Sequence, residues 1–393
     1  MHAEQVTETN REAFYQLYVR VFGKNDDERT RNAFFARFNH AEIYQTKLDE
    51  QVIAGLYAIH LPIIFHGAKM GMRGIGVVMS DPNFRGQGGP SKLMRQALQE
   101  MNSDGVELSY LAPFSYTFYR RFGYEQVFNQ TTTTFAKQKL PEVVDEHAEL
   151  FVTKGFAAAE KELRQFYVAN ETSLKGGLDR ADWWWDYLVT RYSNRKVLLR
   201  YDEHQQLVAY AMYEVNEQEK LITVAERATL TPHLKNELLL YLNATLTDEQ
   251  KLEVVTPNTR YWAMELPEPD HVSSQVEPYM MARVVNVPNF VAKYPFKSEF
   301  LPLTLKLTDP VIEENNGIWR LDAAGATKER SLDQTFGLAD FELTIERFSQ
   351  LMLGAVNLQQ LVEWNEIVIH DQQKVGAFAH ALVSGEPELV DYF

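Results

Sequence analysis

Cysteine is absent from all 393 residues. That excludes disulfides, thiolate-bound zinc and a thiol nucleophile, and it fits a cytoplasmic chain. No apolar run approaches the ~18 residues of a membrane helix, so no membrane span is expected. The opening Met1-His2-Ala3-Glu4-Gln5 lacks the basic and then apolar segments of a signal peptide. Positive charge is scarce too: 39 Lys and Arg face 54 Asp and Glu, a formal net charge of −15. Such a surface repels polyanions and excludes nucleic acid as a partner. It also concentrates cations such as polyamines or amino-sugars, although acidity of this size equally serves solubility.

What is present is the material of packed domains. Hydrophobic residues make up 45 % and aromatics 12 % of a chain long enough for two or three domains. Phe14, Leu17, Tyr18, Val21 and Phe22 recur at helical spacing. Strands are expected at Glu42 to Lys47, Gln51 to Phe65 and Met72 to Met79, and a helix on the stripe Leu93, Met94, Ala97, Leu98, Met101. Val106 to Ala112 reads as strand, Ser115 to Phe122 as a short aromatic helix, and Gln126 to Phe135 as strand. The pattern breaks near Lys139 to Asp145, which sets domains at 1–140, 141–280 and 281–393. The middle segment repeats the order strand, strand, strand, helix (Lys196 to Tyr201, Gln206 to Val215, Leu221 to Ala228, then Thr231-Pro232 onward) without the glycines of the first. Its Trp183-Trp184-Trp185 reads as core or, alternatively, as a stacking platform. In the last segment Leu303 to Leu307 alternates, helices are expected at Ile345 to Leu353, Leu358 to Trp364 and Lys374 to Leu382, and the end is unusually apolar: Leu389, Val390, Tyr392, Phe393.

Glycine is sparse, 20 residues, yet Gly86, Gly88 and Gly89 cluster in Arg85-Gly86-Gln87-Gly88-Gly89 between a strand and a helix. Such a turn aims backbone N–H groups and the helix dipole at one point and binds phosphate without a dedicated side chain. The loop lacks the Lys-Ser/Thr ending of a P-loop and the third spaced glycine of a dinucleotide fingerprint.

The stretch Val77 to Met94 resembles the coenzyme A motif of the GNAT acetyltransferases, with Arg85 and Gly88 matching and Pro90 departing from the final small residue. Phe118-Tyr119-Arg120-Arg121-Phe122-Gly123-Tyr124 resembles the tyrosine signature of the Eis ("enhanced intracellular survival") branch. The resemblance implies an α/β (α+β) chain: tandem GNAT domains, the second degenerate, then a sterol-carrier-protein-like domain entered near Met281 to Val285. It implies acetyl-CoA as acyl donor, held by Val78, Met79, Ser80, Arg85, Gly86, Gln87, Gly88, Gly89, Pro90, Ser91, Phe114 and Ser115, and no metal. It implies Tyr119 as general acid and the C-terminal carboxylate of Phe393 as general base. Phe22, Asp26 and Phe38 would belong to the acceptor pocket, and the acceptor would be a primary amine of a cationic small molecule or lysine. A homo-oligomer, a hexamer, is implied as well.

The chemistry of these groups is consistent. A phenol with an ordinary pKa near about 10 suits protonation of a departing thiolate, and an apolar tail suits burial of a chain end. Tyr119 could equally be core, Phe393 an end docked for stability, and Asp26 part of a solvated loop. Two rival functions remain: lipid or small-ligand binding by the third domain, and transfer from aminoacyl-tRNA, which the charge opposes.

Overall fold

The computed structural model describes residues 8–48, 51–84, 86–138, 149–259, 266, 268–330 and 339–393. Arg85 lies outside the described residues. The first segment contains helices α1 (Glu8–Phe22) and α2 (Glu28–Phe38) and strands β1 (Ala41–Leu48), β2 (Gln51–His60), β3 (Ile63–Phe65), β4 (Ala68–Met70) and β5 (Met72–Ser80). It continues through α3 (Gly89–Ser103), β6 (Leu108–Leu111), α4 (Tyr116–Arg120) and β7 (Glu125–Ala136). The second holds β8 (Phe151–Gly155), α5 (Phe156–Ala169), β9 (Lys175–Leu178), α6 (Asp182–Arg191), β10 (Lys196–Tyr201), β11 (Leu207–Asn216) and β12 (Leu221–Thr229). It ends with α7 (Pro232–Thr245), β13 (Lys251–Thr256) and β14 (Val272–Val284). The third has α8 (Val287–Lys293), β15 (Leu303–Thr308), β16 (Gly317–Asp322), β17 (Gly325–Arg330), β18 (Phe341–Thr344), α9 (Ile345–Met352), α10 (Leu358–Glu363), β19 (Val368–Ile369) and α11 (Gln372–Ala381).

Eleven of the described strands form one sheet, in the order β1-β2-β5-β6-β14-β7-β13-β12-β11-β10-β8. Strand β14 lies between β6 and β7, so the sheet of the first segment is completed by the last strand of the second. Strand β2 is buried along its inner length because both faces are covered. Tyr57 and Ile59 join the core under α1, whereas Leu56 and Ala58 join the core under α3.

The two halves of the sheet share one device. β5 and β6 run parallel for four pairs, Met72 to Ile75 against Leu108 to Leu111, and β12 and β13 do so for Leu221 to Val224 against Lys251 to Val254. Beyond those pairs each couple splits. Register against the neighbouring antiparallel strand shifts at the same place, between Gly55 and Tyr57 in one half and between Met212 and Tyr213 in the other. The internal repeat read from the element order is therefore present in the structure.

The third segment folds on its own five-stranded sheet, β17-β16-β15-β18-β19. Leu303, Leu305 and Leu307 point into a core filled by Trp319, Phe341 and Phe348. It is bolted to the first segment by Arg283, wholly buried on β14, whose guanidinium pairs with buried Asp309 and donates to the carbonyl of Phe122. Among the described residues no helix is long and apolar enough to cross a membrane.

Candidate active site

The glycine loop opens at the C-terminal end of β5, where that strand has parted from β6. Val77 takes φ +53°, a left-handed conformation that a β-branched residue adopts only when its surroundings impose it. The register shift leaves Val77 and Val78 opposite Leu56 alone, so this stretch drops out of the β2 ladder. Asp81, 1 % exposed, fixes the loop's entry. Its carboxylate accepts from Asn83 N–H (3.0 Å) and pairs with Arg20 (2.7 Å).

Gly86 and Gly88 have φ of +83° and +76°, with open space where a Cβ would stand, which leaves room for an anion against the main chain. Gly89 has a different task. A Cβ there would lie 2.8 Å from that of Ala54, so its bareness lets α3 sit close on β2. Pro90 falls in the first turn of α3 and removes one N–H from the helix end. The helix N-terminus still aims its dipole into the cleft.

Tyr119 is on α4, capped by Ser115, whose side chain accepts from Phe118 N–H at 3.3 Å. Gly123 ends this turn at φ +77°, and a Cβ there would meet Arg283 Nη1 at 2.7 Å, so only glycine fits beneath the bolt to the third segment. Tyr124 donates to Ser109 Oγ (2.7 Å), which donates to the Arg73 carbonyl (2.9 Å). The signature around Tyr119 is thus largely a scaffold that fixes one phenol. That phenol is 2 % exposed and lies edge-on to exposed Phe114, with ring centroids 5.2 Å apart. Burial pushes its pKa well above the usual phenol value, helped by neighbouring Tyr124 and Tyr392.

Phe393 lies in the core on the opposite face of the sheet from Tyr119. Its ring lies against Gly74 of β5: a Cβ at Gly74 would stand 2.6 Å from Phe393 Cε2 and 3.1 Å from Leu61 Cδ1. Gly74→Ala should therefore overpack this contact at a cost of about 1–3 kcal/mol, read as a lower Tm; an unchanged Tm would mean the ring is not held there. Tyr392, next to Phe393, adds a small electrostatic influence on Tyr119.

The residues expected at the acceptor pocket are spread out. Phe22 is 44 % exposed at the end of α1. Asp26 is at the surface, and hydrogen bonds from Gln16 (3.2 Å) and Tyr15 (2.9 Å) hold its pKa below the usual carboxylate range. Phe38 is buried and packs on Phe14 and Phe34 at 5.7 and 5.6 Å, behind the surface rather than on it. A cavity of about 690 Å³ lies beside the tail, lined by Glu214, Glu217, Glu219, Tyr279, Asp391 and Tyr392 among others.

Sequence reasoning missed Asp391 and Arg180. Both are buried and paired at 3.0 Å, and Trp184 donates its indole N–H to the same carboxylate at 2.8 Å. The available signal was one acid flanked by Val390 and Tyr392, and one Arg just ahead of the Trp triplet.

Family models agree with this architecture. Residues 2–127 match an acetyltransferase (GNAT) domain, residues 176–284 a second acetyltransferase (GNAT) domain, and residues 287–389 a sterol carrier protein domain. Comparison with curated protein sequences returns no match. Among solved structures, a protein of unknown function from Enterococcus faecalis V583, described as a probable N-acyltransferase, is 27 % identical with TM-score 0.84, over 100 % of this chain and 98 % of that one. A GCN5-related N-acetyltransferase from Anabaena variabilis shares the fold at 17 % identity and TM-score 0.81, over 99 % of both chains. Eis1 from Mycobacterium abscessus does so at 14 % identity and TM-score 0.79, over 98 % of both. The chain thus joins two GNAT acetyltransferase domains, whose strands share one sheet, to a sterol carrier protein domain, and it shares its overall fold with Eis1.

Proposed function

We propose that the protein transfers an acetyl group from acetyl-CoA to a primary amine of a polycationic small molecule. The observation that carries this reading is the split of β5 from β6 beside a bulge at Val77 and a glycine-lined helix N-terminus. Freed amides at Val78 and Ser80 suit a pantetheine chain, while Gly86, Gly88 and the start of α3 suit a pyrophosphate. Phe114 and Ser115 flank the thiol end.

In the proposed reaction the donor lies on the α3 face and the amine comes from the α1 face. The carboxylate of Phe393, directly or through a water, takes a proton from the ammonium. The amine nitrogen then bonds to the thioester carbon as the carbon–sulfur bond breaks, Tyr119 gives its proton to the leaving thiolate, and the second proton shed by the new amide nitrogen restores the phenol through solvent. The deep burial of the phenol keeps it protonated and ready to donate. A cationic acceptor is supported by the carboxylates around the tail cavity, Glu214, Glu217, Glu219, Glu226 and Asp391, which outnumber Arg180 and Arg195 there.

The test is thiol release from acetyl-CoA across a panel of polyamines, aminoglycosides, lysine peptides and neutral amines. Release should be fastest with a multiply charged amine and should slow as salt is added. Release confined to neutral amines, or none with any amine, overturns the reading.

A further inference from the structure

The second acetyltransferase domain keeps the split strands and the bulge of the first, but not its glycine-rich turn. Glu226 stands two residues past the last parallel pair of β12 and β13, where Val77 stands on β5. The carboxylate there is already held by Arg180 and Tyr210, and no glycine turn follows β12 to take a pyrophosphate, so this cleft is unfit for an acyl-CoA donor. A cavity of about 600 Å³ remains, walled by Glu226, Thr229, Lys235 and Thr256 from the domain and by Glu388 and Val390 from the end of the chain.

We propose that this domain has turned its donor-type cleft into a receptor for the chain's own tail, with Arg180 as the residue that positions it. The tail is held at several points. Lys175 pairs with Glu388 at 2.9 Å, and Glu388 N–H donates to the Lys175 carbonyl at 3.0 Å. Thr259 N–H donates to Glu386 at 2.7 Å. Tyr279 donates its hydroxyl to the Asp391 carbonyl at 3.0 Å.

The centre of the clamp is Arg180, whose side chain is 1 % exposed. Its Nε meets both oxygens of Asp391 at 3.0 and 3.1 Å, and its two terminal nitrogens grip Glu226 at 3.1 and 2.8 Å. Tyr210 adds a hydroxyl bond to Glu226 at 2.6 Å, and the rings of Tyr167 and Trp185 flank the guanidinium at 4.5 and 4.9 Å. A planar fork used along two edges fixes direction as well as distance, which a lysine could not do. Asp391 is two residues from Phe393, so the fork sets where the chain end lies over Gly74.

The proposal rests on the reading that Phe393 supplies the base. One guanidinium faces two carboxylates, so Asp391→Asn leaves a balanced Arg180–Glu226 pair and a side chain of equal size, and the fold should survive. The full chain carrying Asp391→Asn should lose kcat by about tenfold or more, because small misplacements of a reacting group are costly. Its KM for acetyl-CoA should stay unchanged, and amide exchange should quicken in residues 385–393. Arg180→Lys, which keeps the charge and loses the fork, should give an intermediate kcat. Unchanged kcat in both variants, or unchanged exchange in the tail, overturns the clamp. Extending the chain by one glycine past Phe393 separates the two readings. An inactive extended enzyme beside a fully active Asp391→Asn enzyme overturns the clamp and keeps the terminal base. A fully active extended enzyme beside an impaired Asp391→Asn enzyme overturns the base and keeps the clamp.

Discussion

Tyr119→Phe should lower kcat by about 10²–10⁴-fold, the usual worth of a positioned proton donor, while KM for acetyl-CoA and Tm hardly change. The substitution removes one oxygen from a ring that otherwise packs on Phe114 and Phe118, so the aromatic contacts survive. Direction of the pKa shift matters here. Burial favours the neutral phenol, so the acid form persists above the usual phenol value near about 10. The pH profile of kcat should accordingly show no descending limb from this group below that value. The same sign governs stability: the protonated, buried phenol contributes fully below the unfolded pKa, and that contribution is lost as pH rises through the higher folded value. Steady-state kinetics with a fixed saturating amine would check the prediction, and an enzyme of unchanged kcat would remove Tyr119 from the reaction.

One glycine added after Phe393 should reduce kcat by a similar about 10²–10⁴-fold. The extension turns the Phe393 carboxylate into an amide, which takes no proton, and carries the new carboxylate some 3.5 Å or more along the chain. The Phe393 ring, Asp391 and the rest of the tail keep their contacts, so folding is left alone. A thermal shift with coenzyme A should match that of the unextended protein. Full activity in the extended enzyme would show that the carboxylate takes no part.

Much of the fold was legible because it is written in local patterns. The strand–glycine–helix order of Met72 to Ser103, the alternation at Leu303 to Leu307 and the repeat of strands before α7 each reflect one element burying one face. Other elements were missed for physical reasons. The stripe Phe156, Ala159, Leu163, Phe166 of α5 has helical spacing but follows directly on the break in pattern, and α2 buries Phe34, Arg37 and Phe38, a face that includes a charged residue. The place of β14 between β6 and β7 has no local signature, since pairing with strands some 150 residues away leaves periodicity unchanged. The end of β2 at His60, where one longer strand was expected, is forced by the turn into the small β4-β3-β9 sheet. In the site, glycines and Tyr119 stood out because motif spacing records backbone demands. The Arg180–Asp391 pair joins residues 211 positions apart, and nothing in the one-dimensional pattern connects them.

The intercalated strand β14 also bears on how the molecule is made. During synthesis β6 and β7 emerge well over a hundred residues before the strand that fills the gap between them. Until then the edges of β6 and β7 that later receive β14 stay unpaired, a form prone to pair with another chain. Closing so long a loop is slow because chain entropy must be spent before the ladder forms. The final docking of β14 would also set Arg283 beneath Gly123, so the turn that fixes Tyr119 matures last. The donor cleft is thus assembled only after residue 284 of 393 has been made, and a shorter nascent chain would hold its catalytic half in an unfinished state.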